Sequence, residues 1–418
     1  MRNPGALTAL VLAASLALTA CGGGDDDEAA TAADGVKVGP GITADTITLG
    51  RLTDATGPFK NLSLNLKAGE DLWMKEVNAA GGVCGRQIAL EERDHSYKAD
   101  QATILFPELE PKVAGLVEVL GSPVIAALKA DFAEKQLTSS ALAFSSQLLD
   151  QPYVVVPAAT YDLEFVNALS YLLDQKLIEP GDKIADVYID GEAGQNGLAG
   201  AKYIAEKHNL TVVERKVTAT DTDMTNIVTG LRGEKVQAIL MTTSGAQTAS
   251  IALANSSLKL DVPMVASSPS FDPALLDTPA ASALDGNLYI ASSSVPYSSN
   301  VAEAKALATK FEAANPAAKP SSAVQFGYAL GLIWQQILQK ACDAKDLTRA
   351  GILAAKNASA TVDLKQLVSD LDFSKPGSPA TRAVYIAKVD KSEKGGLKQV
   401  KALAVAPDAK TYKAPLES

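Results

Sequence analysis

The chain has 418 residues, with 38 Lys and Arg against 48 Asp and Glu and a formal net charge of −10. A hydrophobic fraction of 47% and a charged fraction of 21% are those of a folded globular body. The acidic balance argues against a nucleic-acid partner, whose phosphates demand clustered Lys and Arg.

One positive charge, at Arg2, precedes a short run of small and apolar residues from Ala6 to Ala20. That is the layout of a secretory signal peptide over 1–20. The run falls short of the ~20 apolar residues that a spanning helix needs. It ends in Leu18-Thr19-Ala20-Cys21, which resembles the lipobox of bacterial lipoproteins. The resemblance implies that Cys21 carries lipid, becomes the first mature residue and anchors the chain to the outer face of the cell membrane. The Gly- and Asp-rich stretch from Gly22 and the Ala, Thr and Gly residues after it have no apolar period. Residues 21–43 therefore read as the lipidated Cys and a flexible tether. No later segment is apolar enough to be a transmembrane helix.

From residue 46 the pattern alternates. A short strand at 46–50 precedes a helix with Leu66, Gly69, Trp73 and Val77 on one face, stopped by Gly81-Gly82. Strands follow at 88–92, 113–120, 139–143 and 153–158, with helices at 99–110 and from Ser122 to about Phe132. A second set has helices at 161–176, 195–208, 223–231 and 246–255. Its strands fall at 183–189, 210–217, 238–242, 262–266 and 287–291. Such alternation means βαβ units and parallel sheets, with too many strands for one small sheet. The last third differs. Helices at 301–314, 321–341 and 348–355 lead to an antiparallel pair, 383–389 and 397–405, around Lys394-Gly395-Gly396. The chain from 44 onward exceeds one ordinary core, so two α/β lobes are expected.

With Cys21 taken by lipid, Cys84 and Cys342 remain. In an exported protein such a pair favours one disulfide, with two separate buried thiols as the alternative. Closing so long a loop is worth roughly 4–5 kcal/mol in the chain-entropy picture.

Several landmarks resemble the type I periplasmic binding proteins, in particular the branched-chain amino acid binding branch. They are Thr53-Asp54-Ala55-Thr56-Gly57-Pro58 after the first strand, Asn78-Ala79-Ala80-Gly81-Gly82 with Gly85-Arg86, and Gly121-Ser122-Pro123 opening a helix. Residues 191–197 (Gly-Glu-Ala-Gly-Gln-Asn-Gly) and Phe326-Gly327-Tyr328-Ala329 complete the series. The resemblance covers roughly 45 to 410. It implies two doubly wound parallel-sheet lobes joined by a three-strand hinge near Ala159, Ser293 and Leu371. Lobe one is then 44–160 plus 293–370, and lobe two 161–292 plus 371–418. The late helix returns to lobe one, where Cys84 lies, which accords with the disulfide reading.

The same resemblance implies a monomeric solute-binding lipoprotein of an ABC importer. It would capture a small organic molecule in the cleft by hinge closure and present it to a membrane permease. Ser122 follows a strand and opens a helix, so its hydroxyl and nearby N–H groups suit a carboxylate; a plain helix cap is the other role such a Ser fills. Ala143, Phe144 and Ser145 match a second ligand segment, and Tyr161 and Asp162 the first crossing, where an acid often faces an ammonium group. Two departures count against an α-amino acid. Ala193 stands where those binders carry an aromatic, and the run Ser267 to Phe271 has no acid. An amide or an aromatic or other carboxylic acid then fits, with Thr243 and Phe271 lining the second lobe and Gln325 near the hinge.

An enzyme is not expected. Only His95 and His208 occur, with no Gly-x-Ser-x-Gly elbow and no metal-ligand spacing, and no cofactor is implied. Asp94-His95 reads as surface. Two other classes remain: a lipid-anchored sensor that presents its closed state to a membrane receptor, and, further off, an exported hydrolase.

Overall fold

The computed structural model describes residues 30–417. The signal peptide, Cys21 and the start of the tether lie outside the described residues. Strands Thr46–Thr53, Gln87–Asp94, Leu116–Leu120, Ser139–Leu142 and Val154–Val155 form a parallel sheet, with Thr46–Thr53 between Gln87–Asp94 and Leu116–Leu120. Leu116–Leu120 is buried at every position. It lies at the centre of a sheet covered on both faces, so the alternation expected of a half-exposed strand is lost. The second sheet is parallel over Thr211–Val217, Lys183–Ile189, Ala238–Thr242, Met264–Ala266 and Leu288–Ser292, in that spatial order. Val384–Val389 and Leu397–Ala404 extend it in antiparallel fashion. These are the two doubly wound lobes that the sequence predicts.

The chain passes between the lobes three times, and one hydroxyl ties the passages together. Ser293 Oγ accepts the Ala159 N–H at 2.7 Å and donates to the Ala383 carbonyl at 3.2 Å. The third passage differs from the expected position at Leu371. Leu371 bridges Val362 and packs in the first-lobe core, and the chain enters the second sheet only at Val384. The tether is also shorter than composition suggests. Ala30–Thr31 pairs with Lys37–Val38, which pairs with Asp346–Leu347. Val36 is buried, and Asp34 holds Arg86 at 2.8 Å. A single buried Val and a pairing to a strand three hundred residues away leave no trace in local composition.

Two helices carry the first lobe. Lys60–Ala79 and Ala323–Asp343 run side by side in the same direction, touching backbone to backbone. A Cβ on Gly69 would fall 2.1 Å from the Val324 carbonyl oxygen, and one on Gly327 would fall 2.0 Å from that of Leu66. Only glycine permits that approach. Trp73 then lies over Gly331, and its indole N–H donates to Gln335 at 3.0 Å. Behind the pair, the fully buried Arg51 binds Glu70 at 2.5 Å, Glu92 at 2.9 Å and Asp71 at 3.1 Å. Burial pushes the carboxyls of Glu70 and Glu118 up. Glu118 in turn accepts the Thr53 hydroxyl at 2.5 Å, which fixes the end of the first strand.

Cys84 and Cys342 are joined in a disulfide, with Cα atoms 6.0 Å apart and 258 positions between them. The bridge clamps the ends of the helix pair that point away from the other lobe. Replacing both cysteines with Ser is expected to lower stability by roughly 2–5 kcal/mol. Urea denaturation with and without reductant measures this: reductant should shift the wild-type midpoint downward and leave the double variant unchanged.

Candidate functional site

In a doubly wound sheet the crevice opens where successive connections depart in opposite directions, at the carboxyl ends of the strands. In the first lobe that point lies between Thr46–Thr53 and Leu116–Leu120, and in the second between Lys183–Ile189 and Ala238–Thr242. The loops after all four strands face one another across a cavity of about 540 Å³. Phe59, Gly121 and Ser122 come from the first lobe, and Asp190, Gly191, Ala193, Thr242 and Thr243 from the second.

Two helices from opposite lobes begin at this cavity, Ser122–Glu134 and Glu192–His208. Their N-caps are Gly121 and Gly191, and neither helix has a side-chain cap. Pro123 has no N–H and Val124 N–H donates to the Gly121 carbonyl at 3.1 Å, so the first-turn N–H groups open to a ligand are those of Ser122, Glu192, Ala193 and Gly194, and both macrodipoles favour negative charge there. No Lys, Arg or His is among the residues lining the cavity. The acids Asp190 and Glu192 lie on its wall, and Asp190 pairs with Lys216 at 3.2 Å.

Tyr97 is placed by its backbone. Ser96 and Tyr97 both adopt left-handed conformations, with φ of 52° and 60°. Such residues persist only where surrounding bonds over-determine them. His95 Nδ1 accepts the Tyr97 N–H at 3.0 Å, and the Asp94 carboxylate accepts the N–H groups of Ser96 at 2.9 Å and Ala55 at 3.0 Å. The Tyr97 ring then packs on Phe59, with centroids 4.7 Å apart. Burial and the neighbouring Asp54 push its phenol up to about 12, so the hydroxyl remains a donor. His95 is not at the surface as its sequence context suggests. It is fully buried, and burial holds its imidazole below the usual range.

Of the residues the sequence singles out, Ser122, Tyr161, Ala193 and Thr243 lie on the cavity wall. Phe144 and Phe271, again with Tyr161, line a smaller chamber of about 90 Å³ on the side of the lobe crossings. Ala143, Ser145 and Asp162 line neither space. Ala143 packs in the core beneath the first sheet. Ser145 turns its Oγ to the Gln147 N–H at 3.2 Å. The Asp162 carboxylate accepts Leu163 N–H at 2.8 Å and, at 3.0 Å each, Asn196 Nδ2 and Tyr412 Oη. It ties the first helix of the second lobe to Glu192–His208 and to the C-terminal segment, and has little left to offer an ammonium group. Gln325 lines neither space, and its amide nitrogen donates to the Tyr297 carbonyl at 3.3 Å. Pro269, in the run whose missing acid the sequence singles out, lies on the wall, and sequence reasoning passed over Phe59, Leu62, Tyr97 and Leu142. All but Leu62, which lies on the first turn of Lys60–Ala79, sit at or just beyond strand carboxyl ends, and that position was the available signal.

A family profile described as periplasmic binding protein matches residues 46–396. The chain belongs to the periplasmic binding protein family. Comparison with curated proteins gives no match. Among solved structures, a fatty acid ABC transporter substrate-binding protein from Thermomonospora curvata is 37% identical, with a TM-score of 0.89 over 92% of this chain and 99% of that one. A branched chain amino acid ABC transporter protein from Thermus thermophilus with bound valine is 18% identical, with a TM-score of 0.75 over 88% of this chain and 99% of that one. A solute binding protein of R. palustris in complex with benzoate is 16% identical, with a TM-score of 0.71 over 87% and 98%. The latter two share the fold. The chain is thus a substrate-binding protein of the ABC-transporter kind, a family of solute binders that work outside the cytoplasm. No helix among the described residues is long and apolar enough to cross a membrane.

One buried acid adjoins this periplasmic binding protein's cleft. Glu164 is 1% exposed, and its Oε2 accepts the Ser268 N–H at 3.1 Å. Burial, with a smaller contribution from Asp162, pushes its carboxyl up to about 8. The folded protein therefore keeps a proton that the unfolded chain loses near the ordinary carboxylate range. Its contribution to stability falls as pH rises from there to about 8. Glu164→Gln mimics the protonated form. Thermal melts should show the variant gaining several degrees at pH 8 and little at pH 5.

Proposed function

We propose that this protein is the extracytoplasmic receptor of an ABC importer for an organic acid with a large apolar body, fatty acids first among them. The observation that carries the reading is a largely apolar cavity that holds no Lys, Arg or His, and whose donors for an anionic end are two uncapped helix N-termini and the hydroxyls of Ser122 and Tyr97, with Asp190 and Glu192 also on its wall. Carboxylates suit uncapped N–H groups, and hydrocarbon suits the remainder of the wall. An α-amino acid fits poorly, because Asp162 is spent on protein donors. The 37% identity to a fatty acid binding relative supports the same class. The protein acts by binding, without catalysis or cofactor, as a monomer tethered by lipid at Cys21, and hands its ligand to a permease.

Binding closes the lobes. Across the cleft Lys319 pairs with Asp277 and Lys394 with Glu312, and Asn61 reaches Asp272 at 3.4 Å. These ion pairs are solvent-exposed, and such pairs contribute about 0–1 kcal/mol each. Reversing a 99:1 preference for the open form takes about 5.5 kcal/mol of differential affinity. The ligand must supply most of it by touching both lobes at once.

A thermal-shift screen of residues 30–418 against straight-chain fatty acids, benzoate, leucine and valine tests the ligand class. A true ligand at about 100 times its Kd adds roughly 2.7 kcal/mol and should raise the Tm by several degrees. A response to the amino acids alone would refute the acid reading. Replacing Ser122 with Ala and Tyr97 with Phe should weaken acid binding by about 1–3 kcal/mol per lost bond. X-ray scattering checks closure, with a smaller radius of gyration expected on ligand addition.

A further inference from the structure

The smaller chamber adjoins the main cavity, and the two meet at a neck where Leu62, Leu142, Tyr161 and Pro269 line both. Beyond the neck the walls come from both lobes: Leu66, Phe144 and Phe326 from the first, Phe271, Ile290 and Leu397 from the second. No Lys, Arg, His, Asp or Glu lines it. It does contain serines and two tyrosines, and Ser268 Oγ is buried without a partner, but four of the other hydroxyls are already engaged with backbone. Ser292 Oγ accepts the Ser294 N–H at 3.1 Å, and Ser294 Oγ donates to the Ser322 carbonyl at 3.2 Å. Ser321 Oγ accepts the Ala323 N–H at 3.3 Å, and Tyr385 Oη donates to the Gln366 carbonyl at 3.0 Å. A polar ligand group placed there would lose its water and find few partners, whereas an alkyl chain loses nothing.

We infer that this chamber is the tail subsite of the ligand site, taking the distal methylenes of a long-chain aliphatic acid whose carboxylate stays in the main cavity. The inference rests on the acid reading above. It makes the small residues of the chamber a ruler. Ala323, the first residue of Ala323–Asp343, and Ala387, on the facing strand Val384–Val389, line the chamber from opposite lobes and are 6% and 3% exposed. Every methylene that enters the chamber should tighten binding about fourfold, until the chamber is full. Shorter acids, ending at the neck, never reach it.

The test is a titration series from octanoate to octadecanoate, by calorimetry, on the wild type and on two variants that fill the chamber from either side, Ala323→Leu and Ala387→Leu. Kd for the wild type should fall with chain length well beyond octanoate. Both variants should bind octanoate as the wild type does, and hexadecanoate at least about tenfold more weakly. If one variant does not fold, the other still reads the same chamber. A wild type that binds these acids with no gain beyond octanoate overturns the tail subsite alone, as do variants that weaken all lengths equally. A wild type that binds no member of the series overturns the tail subsite and the acid reading together.

Discussion

A parallel strand can end only in a loop that leads to the next helix, so one edge of a doubly wound sheet collects loop backbone and helix N-termini. The architecture of this protein follows from setting two such edges face to face. The Gly121-Ser122 turn and the Gly191–Gly194 turn come from opposite lobes and meet across one cavity. Their open N–H groups give the cleft a positive polarity where no Lys, Arg or His lines the wall. Three chain crossings, tied at Ser293, keep the edges opposed while leaving a joint between them.

The charged residues are placed to match. A buried cation of the first lobe, Arg51, is surrounded by Glu70, Asp71, Glu92 and Glu118 behind the cleft, where it stiffens the wall and cannot meet a ligand. A cation in the cavity would have to be desolvated at every closure, and helix N-termini hold a carboxylate without that cost. The remaining wall is largely hydrocarbon, with threonine and serine hydroxyls and the acids Asp190 and Glu192. The site thus separates two tasks, with fixed dipoles at one end and apolar surface at the other.

The elements and their order were legible in the sequence because strand and helix periodicities are local properties. Thr46–Thr53, Lys183–Ile189 and Ala323–Asp343 all fall where the apolar pattern places them. What depends on distant pairing was not legible. The segment near Val36 reads as tether until Asp346–Leu347 is beside it, and Leu371 reads as a crossing until Val362 holds it on the first lobe. The site divides in the same way. Ser122, Ala193 and Thr243 follow strands directly and could be placed by topology. Asp162 also sits near the cleft, but which way its side chain turns is decided by partners such as Asn196 and Tyr412, far along the chain. Tyr97 was hidden for another reason, since a left-handed Tyr carries no signature in composition or period.

The contact between Gly69 and Gly327 also bears on the order in which the molecule is made. Synthesis and export proceed from the N-terminus, so Lys60–Ala79 emerges long before the helix it must touch. Its apolar face, with Leu66 and Trp73, has no permanent cover until nearly four-fifths of the chain has been made. The five parallel strands of the second lobe, by contrast, lie in one uninterrupted stretch from Lys183 to Ser292. The first lobe is begun first and completed last, and its disulfide closes only after Cys342 has arrived. Non-local contacts of this kind are slow to form. A chain so wired stays threadable through a translocation channel for most of its synthesis, and acquires its rigid wall on the far side.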